Sequence, residues 1–114
     1  MIETRPWGWY ENLHESDYGY KVKRLFVNPN QRISLQYHLK RNEHWVVVEG
    51  DGFITFCGDE RQAKVGDYIF IPKKEKHRIR GGENGIMIIE VQQGILCVEN
   101  DIVRLEDDYN RVEL

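Results

Sequence analysis

The sequence predicts an all-β protein with one barrel-shaped domain. Short runs rich in Val, Ile, Phe and Tyr alternate with turn signals built from Gly, Pro, Asn, Asp and charged residues. Short strands at such regular spacing are typical of β-sandwiches and barrels. Closure into a barrel also protects the sheet edges that so many short strands would expose. A chain of 114 residues can bury one core and leaves little room for a second.

We expect one domain over residues 1–114, in three parts: an N-terminal arm at 1–20, the barrel at 21–105 and a C-terminal tail at 106–114. The apolar runs of the barrel lie at 22–27, 33–39, 45–48, 53–56, 68–71 and 86–91. The turn signals lie at 28–30, 40–42, 49–52, 57–60, 66–67, 72–76, 81–85 and 93–94. No barrel segment shows a sustained helical period, so a short helix is expected only in the tail, near 106–112.

The composition excludes several classes of function. A net charge of −3 and a pI near 5.8 argue against a nucleic-acid-binding protein, which usually carries a basic excess. No run approaches the roughly 18 apolar residues of a membrane-spanning helix, and the N-terminus lacks the apolar stretch of a secretory signal. Cys57 and Cys97 are far apart and form no Cys-x-x-Cys motif. We therefore expect a cytoplasmic protein with two thiols and no cysteine-bound zinc.

The run at 33–39 places two potential metal ligands on one face of a strand. Side chains two residues apart share a face, so Ser34, Gln36 and His38 point to the same side of the sheet. The apolar residues of this run point to the other side, and they are Ile33, Leu35, Tyr37 and Leu39. An amide oxygen and an imidazole nitrogen can both bind a metal. We expect Gln36 and His38 in a metal site, although Gln36 could instead bond a metal-bound water.

Glu43 and His77 complete the candidate metal site. Glu43 lies five residues after His38, which would place it on the opposite face of one continuous strand. A turn at 40–42 removes this objection, because a new strand can bring Glu43 back toward His38. Pro72 ends a strand and His77 begins the next, which a barrel can place beside the first pair. Taken singly these residues indicate nothing beyond ordinary polar side chains, but the set suits Zn²⁺, Mn²⁺, Fe²⁺, Co²⁺ or Ni²⁺.

The same residues carry a resemblance to a known family. Glu43-x6-Gly50 resembles the first motif of the cupin superfamily, and Gly66-x5-Pro72-x4-His77 resembles the second. More narrowly, the chain resembles the type II phosphomannose isomerases over roughly residues 5 to 111. The matching blocks are RPWGWYE at 5–11, GYKVK at 19–23, RISLQYH at 32–38, Arg41, EHWVVV at 43–48, Ile71-Pro72, His77-Arg78, IEVQ at 89–92 and DIVR at 101–104.

The resemblance implies a jelly-roll cupin barrel that binds a divalent metal, often zinc, and interconverts mannose 6-phosphate and fructose 6-phosphate. It also implies a small-molecule sugar phosphate as binding partner and a homodimer, paired through a strand and the aromatic arm. In the family this domain often follows a mannose-1-phosphate guanylyltransferase, which would not fit into 114 residues. Two positions depart from the family pattern. Lys40 replaces a common histidine, and Arg80 stands where an acidic or amide residue is usual.

An aldose–ketose isomerisation needs a base for the C–H proton and a group that stabilises the developing oxyanion. The candidates for the base are Glu49, Glu90 and Lys23. The candidates for binding the phosphate are Arg32, Lys21, Arg78 and Arg80. Two other interpretations stay open at this point. One is a different metal-dependent cupin enzyme, such as an oxygenase or another sugar isomerase, and the other is a non-catalytic cupin that binds a sugar or sugar phosphate.

Overall fold

The structure is a computed structural model that describes residues 1–111, and it places them in nine strands without a helix. The strands are β1 (Ile2–Arg5), β2 (Gly8–Ser16), β3 (Tyr20–Val27), β4 (Leu35–Tyr37), β5 (Arg41–Phe56), β6 (Asp59–Lys64), β7 (Tyr68–Ile71), β8 (His77–Gly94) and β9 (Val103–Glu106). The all-β prediction is confirmed. None of residues 1–111 forms a helix long and apolar enough to cross a membrane. Cys57 and Cys97 are free thiols.

The strands form one curled antiparallel sheet organised around β8. This strand pairs with β3, β4 and β5, and the sheet runs in the order β1-β2-β3-β8-β4-β9. A second branch arises because β5 also pairs with β6 and β7. β5 and β8 have 16 and 18 residues, and their mutual register shifts at two irregularities. Such bulges bend and twist paired strands, so β5 and β8 curl the sheet around an interior.

The interior is apolar at one end and polar at the other. Read from the apolar end, the inward residues are Val27, Leu25, Lys23 and Lys21 on β3; Val47, Trp45, Glu43 and Arg41 on β5; and Ile86, Ile88, Glu90 and Gln92 on β8. The change from apolar to polar side chains occurs at about the same level on all three strands, because Lys23 on β3 and Trp45 on β5 both pair with Glu90 on β8. Burying polar groups costs free energy unless they are partnered. The polar end of the interior is therefore the candidate location of a functional site.

The predicted N-terminal arm is part of the sheet. β1 pairs with β2, and β2 pairs with β3 along most of its length. Trp7 and Tyr10 are buried in the hydrophobic core. The aromatic block at residues 7–10 thus packs on the barrel of its own chain.

The predicted turn at 93–94 forms the end of β8. Two other predicted turns are also wrong, because β5 runs through 49–52 and β8 runs through 81–85. The glycines in these segments mark a close approach of two bent strands. Gly50 has a φ of 71°, and a Cβ there would lie 2.1 Å from the carbonyl oxygen of Gly85. Glycine inside a strand often marks such a contact or a bulge, which a turn signal in the sequence does not distinguish from a chain reversal.

The short helix predicted near 106–112 is also wrong within the described residues, and residue 112 lies outside them. β9 extends to Glu106, and a turn follows in which the Asp107 carboxylate accepts hydrogen bonds from the backbone N–H and the guanidinium of Arg111. Side-chain bonds of this kind favour a turn over a helix. Because β9 pairs with β4, this segment forms a wall beside Gln36.

Replacing Gly50 by alanine is expected to lower the free energy of unfolding by about 3 kcal/mol or more, because the new Cβ would clash with the Gly85 backbone at a left-handed φ. Gly58→Ala is the matched control. Gly58 also has a positive φ, of 80°, but an added Cβ would have no atom within 4 Å. Its loss should be about 1 kcal/mol, from backbone conformation alone. Urea unfolding measures both variants, and equal losses would contradict the close approach of β5 and β8.

Candidate metal centre at the polar end of the barrel

Three segments bring the four predicted metal ligands to the polar end of the barrel. Gln36 lies on β4 and His38 just after it, while Glu43 lies near the start of β5 and His77 opens β8. Gln36 pairs directly with His77 across the β4–β8 ladder. The chain bends at 39–40, slightly before the predicted turn, so that Glu43 faces the same interior as His38. All four side chains are buried.

The potential ligand atoms converge on one point. Nε2 of His38 lies 3.2 Å from Oε2 of Glu43, and Nε2 of His77 lies 3.9 Å from Oε1 of Glu43. One ligand atom from each of the three residues lies within 4.8 Å of the others. Two donors that each bind an ion at about 2.1 Å are at most about 4.2 Å apart. The two carboxylate contacts therefore fit a shared divalent ion, with a small side-chain adjustment to bring in all three donors, and Gln36 is available as a fourth.

Backbone carbonyls fix the orientation of both imidazoles. Nδ1 of His38 donates to the backbone oxygen of Asp101 at 2.6 Å, and Nδ1 of His77 donates to that of Glu75 at 2.9 Å. The Asp101 carboxylate also accepts hydrogen bonds from two backbone N–H groups of the bend at 39–40. Burial lowers the pKa of His38 to about 4 and lowers that of His77. Both rings are thus neutral and carry no proton on Nε2, which is the state a metal ligand requires.

Glu43 is held by two donors. Nε of Arg41 donates to Oε2 at 2.8 Å, and Nε1 of Trp45 donates to Oε1 at 3.1 Å. Arg41 also reaches Nε2 of His38 at 3.3 Å. Burial alone would raise the pKa of Glu43, but His38, His77 and Arg41 outweigh it and hold the pKa well below its usual range. The carboxylate is therefore ionised and fixed in place.

Glu90 is a second buried carboxyl in the same cavity. Nε2 of Gln92 donates to its Oε1 at 2.6 Å. Burial and the negative charge of Glu43 raise the pKa of Glu90 to about 7, against the opposing pull of Lys23 and Arg41. A carboxyl with a pKa near neutrality can both accept and return a proton under physiological conditions, which general acid–base catalysis requires.

The cavity in front of these residues has a volume of about 140 Å³. Its wall includes Trp7 and Tyr10, so the N-terminal aromatic block helps to close it. The cationic side chains that line it are Arg5, Lys23, Arg41, Arg104 and Arg111. This concentration of positive charge around a buried acid–base group suits a small anionic ligand.

Five of the residues predicted for catalysis or phosphate binding lie outside the cavity lining: Lys21, Arg32, Glu49, Arg78 and Arg80. Arg32 pairs with Asp108 at 2.7 Å. Alternation extended back from Ser34 would place Arg32 on the inward face. It fails because Ile33 and Ser34 are both buried, so regular alternation starts only after them.

Arg78, Arg80 and Glu49 are kept out of the cavity by strand parity or by a bulge. Arg78 and Arg80 lie an odd number of residues after His77, so they share the other face of β8. There Arg78 donates to the backbone oxygen of Ile33, and Arg80 pairs with Glu60. Glu49 is exposed beyond the register shift that follows Val47. Of the other predicted residues, Glu90 and Lys23 line the cavity, and Lys21 lies beside Lys23 on β3.

The sequence matches the family model described as mannose-6-phosphate isomerase C-terminal over residues 2–107. The chain belongs to this family. The predicted resemblance to type II phosphomannose isomerases is thus confirmed.

Two curated relatives of this chain illustrate the similarity. One is a mannose-1-phosphate guanylyltransferase of Escherichia coli (strain K12), 39% identical over 109 residues, which are 95% of this chain and 23% of the relative. The other is the alginate biosynthesis protein AlgA of Pseudomonas aeruginosa, 41% identical over 111 residues, or 94% and 22% of the two chains. The chain thus spans less than a quarter of the length of these relatives.

Solved structures show the same fold. The capsular polysaccharide assembling protein CapF from Staphylococcus aureus aligns with a TM-score of 0.78 and 20% identity, over 93% of this chain and 34% of that one. A cupin-2 domain protein from Rhodospirillum rubrum aligns with a TM-score of 0.70 and 15% identity, over 83% and 68%. The predicted cupin barrel is confirmed for this family member.

Several residues of the candidate site were not predicted from the sequence. Arg41 lies two residues before Glu43 on β5, so strand parity could have placed it on the same face. Asp101 and Glu99 lie in a segment without strand periodicity, and no local signal indicates that they reach the site. Arg104 and Arg111 also line the cavity, and they lie in the predicted end of the barrel and the predicted C-terminal tail.

His38 and Glu90 make opposite contributions to the pH dependence of stability in the metal-free domain. Burial lowers the pKa of His38 from 6.5 to about 4, so its contribution is present above pH 6.5 and is lost as the pH falls toward 4. His77 shifts in the same direction. The pKa of Glu90 is raised from 4.5 to about 7, so its contribution is full below pH 4.5 and is lost as the pH rises through 7.

Glu90→Gln is therefore expected to reveal the histidine contribution. The relevant range lies between pH 4.5 and pH 6.5, the pKa values of glutamate and histidine in the unfolded chain. As the pH falls through this range, the free energy of unfolding of E90Q should decrease more steeply than that of the wild type. The expected difference is about 1.4 kcal/mol per pH unit, which corresponds to one proton. Urea unfolding across this range, with a chelator present, measures it. Parallel slopes for the two proteins would contradict the protonated state assigned to buried Glu90.

Proposed function

We propose that this chain is a metal-dependent sugar-phosphate isomerase that interconverts mannose 6-phosphate and fructose 6-phosphate. The observation that carries the proposal is the position of Glu90, a buried carboxyl with a pKa near neutrality, in the same cavity as His38, Glu43 and His77. A proton-transfer group beside a potential Lewis-acid site is what an enediol reaction needs. Membership of a family described as mannose-6-phosphate isomerase C-terminal supports the choice of substrate.

Gln36, His38, Glu43 and His77 would hold the metal. We propose zinc, and Mn²⁺, Fe²⁺, Co²⁺ or Ni²⁺ would suit the same nitrogen and oxygen donors. A divalent ion bound there supplies a Lewis acid that stabilises negative charge on a substrate oxygen. The hydrogen bonds that fix the imidazoles and the carboxylate reduce the reorganisation needed when the ion binds.

Glu90 is proposed as the base. It takes the proton from C2 of mannose 6-phosphate and later returns it to C1, while the C2 hydroxyl loses its proton and O1 gains one. These transfers convert the aldose into the ketose through an enediol without any change in atom count. Of the other two candidates for the base, Glu49 is exposed, and Lys23 donates hydrogen bonds to the Glu99 carboxylate. Lys23 is therefore better suited to binding an anion.

A second candidate function is a non-catalytic cupin that binds a sugar phosphate. Arg41 favours it, because its guanidinium bonds both Glu43 and His38 and so satisfies the buried site without a metal. This function predicts ligand-induced stabilisation without turnover, with and without metal.

A comparison of turnover with binding tests the proposal. Chelator-treated protein is reloaded with Zn²⁺, Mn²⁺ or Co²⁺, and the formation of fructose 6-phosphate from mannose 6-phosphate is followed by an enzyme-coupled assay. Thermal melting with the same sugar phosphate measures binding in parallel. We expect turnover that depends on the metal. Binding without turnover under every metal condition would instead support the non-catalytic function.

We also propose a homodimer. Four apolar side chains are partly exposed on the outer face of β5 and β7, and they are Val46, Val48, Tyr68 and Phe70. Sedimentation equilibrium is the test, and a monomer across the accessible concentration range would exclude the dimer.

A further inference from the structure

Lys21 and Lys23 form a pair of buried cations at the polar end of β3. They lie two residues apart on the inward face, and they are only 3% and 7% exposed. Buried ammonium groups are costly unless an anion compensates them. One carboxylate contacts both, because Glu99 lies 3.1 Å from Nζ of Lys21 and 3.0 Å from Nζ of Lys23. The two lysines therefore form a cradle for an anion, and Glu99 occupies it.

The positive charge of the cradle is only partly compensated. Besides Glu99, the nearest acidic groups are Glu15 and Glu90. Glu15 lies 3.6 Å from Nζ of Lys21, but its side chain is 64% exposed. Glu90 is the cross-strand neighbour of Lys23 on β8, but its carboxyl accepts its hydrogen bond from Gln92. Two ammonium groups thus share one closely bound single charge. A phosphate monoester, with close to two negative charges and several acceptor oxygens, matches the pair better.

Glu99 can leave the cradle without unfolding the loop that carries it. The residue lies between β8 and β9, and its side chain is 41% exposed. The loop backbone is fixed on either side by other bonds. The Val98 carbonyl accepts a hydrogen bond from Arg41 at 2.8 Å, and the Asp101 carboxylate binds the bend at 39–40. A rotation of the side chain alone would release the lysines to the cavity, which Lys23 and Glu99 both line.

We propose that Lys21 and Lys23 bind the phosphate of the sugar phosphate, and that Glu99 is an internal competitor that fills the site when the substrate is absent. The identity of the ligand as a sugar phosphate rests on the proposed function. The ring of Tyr10, 4.0 Å from Nζ of Lys23, helps to hold that ammonium in place when the anion is exchanged. An internal competitor lowers the apparent affinity for a free anion, because the site is open for only a fraction of the time.

Binding of inorganic phosphate to the full chain tests the proposal. Isothermal titration calorimetry at pH 8, with a chelator present, compares the wild type with Glu99→Gln. Glutamine keeps the shape of the side chain but loses the charge that competes. We expect E99Q to bind phosphate about tenfold more tightly than the wild type, as for removal of a competitor that holds the site most of the time. Unchanged or weaker binding by E99Q would overturn the proposal.

Two control variants locate the effect. Glu15→Gln removes the exposed carboxylate near Lys21, and its affinity for phosphate should stay within about twofold of the wild type. Adding Lys23→Met to E99Q should cancel the gain. If E15Q gains affinity as E99Q does, or if the lysine change leaves the gain intact, phosphate binds elsewhere and the proposal fails.

A measurement on the wild type avoids any dependence on the folding of variants. With ¹³C-labelled glutamate, saturation with phosphate should move one buried-type carboxyl resonance, absent in E99Q, toward the position of a solvated glutamate. A resonance that does not move at saturation would show that Glu99 stays on the lysines. Neither experiment involves metal or turnover. Isomerase activity with no competition from Glu99 would reject this inference alone, and phosphate competition without isomerase activity would reject the proposed function alone.

Discussion

Replacing His38 and His77 together by alanine is expected to abolish binding of Zn²⁺, with the bound metal falling from about one ion per chain to near zero. The two imidazoles supply both nitrogen donors, and Glu43 with Gln36 cannot retain a transition metal through two oxygens alone. The loss should exceed that from either single replacement. Elemental analysis after equilibrium dialysis against dilute Zn²⁺ measures the stoichiometry.

His44→Ala is the matched control for this double change. His44 is adjacent to Glu43 in sequence but points to the outer face of β5, where its ring nitrogens contact Tyr68 and Gln93. Its removal deletes the same chemical group and should leave the metal stoichiometry unchanged. If the double variant retains its metal, or if H44A loses it, the metal centre has been assigned to the wrong residues.

Glu90→Gln is expected to lower kcat for the interconversion of mannose 6-phosphate and fructose 6-phosphate by about 10²- to 10⁴-fold, the usual contribution of a general base. The amide cannot accept the C2 proton, yet it keeps the shape and can still bond Gln92. KM and zinc content should change little, because Glu90 is not a ligand in this account. Steady-state kinetics with zinc-loaded protein separate kcat from KM.

Glu49→Gln provides the comparison for Glu90. The sequence offers both residues as candidates for the base, but Glu49 is exposed outside the cavity, so its replacement should leave kcat unchanged. A comparable loss in E49Q, or full activity in E90Q, would assign the proton transfer to another group.

Local alternation along strands predicted which side chains of the candidate metal centre face the interior. Gln36 and His38 share a face because they lie two residues apart on one strand. Lys21 and Lys23 follow the same rule on β3. Glu43 required an additional step, since it depends on a bend between two strands, and that bend lies at 39–40 in the structure. Where the backbone is regular, the pattern of the sequence determines which side chains face inward.

The rest of the site depends on contacts that no local pattern encodes. Glu99 meets Lys23 across 76 residues of chain, and Asp101 meets His38 across 63. Both lie in a loop whose path is set by the closing of the sheet. The wrong predictions fall at irregular positions of the backbone. Arg32 precedes the regular part of its strand, and the glycines at 50 and 85 resemble turn signals although they allow β5 and β8 to touch.

The hydrogen bonds of Arg41 oppose metal binding, because they occupy two of the proposed metal ligands, Glu43 and His38. In the metal-free site its guanidinium supplies the positive charge beside Glu43 that an ion would otherwise provide. Binding of a divalent ion has to displace the contact between Arg41 and Nε2 of His38. The proposed metal binding would therefore exchange one cation for another at Glu43.

The most direct test of the central claim is an NMR measurement of the reaction itself. Zinc-loaded wild-type protein is incubated with mannose 6-phosphate in D₂O, and the sugar resonances are followed with time. The account predicts that fructose 6-phosphate appears and carries some deuterium at C1, because the proton held by Glu90 exchanges with solvent during part of the turnovers. Mannose 6-phosphate that stays unchanged and unlabelled, although zinc and the sugar phosphate are both bound, would contradict the isomerase function.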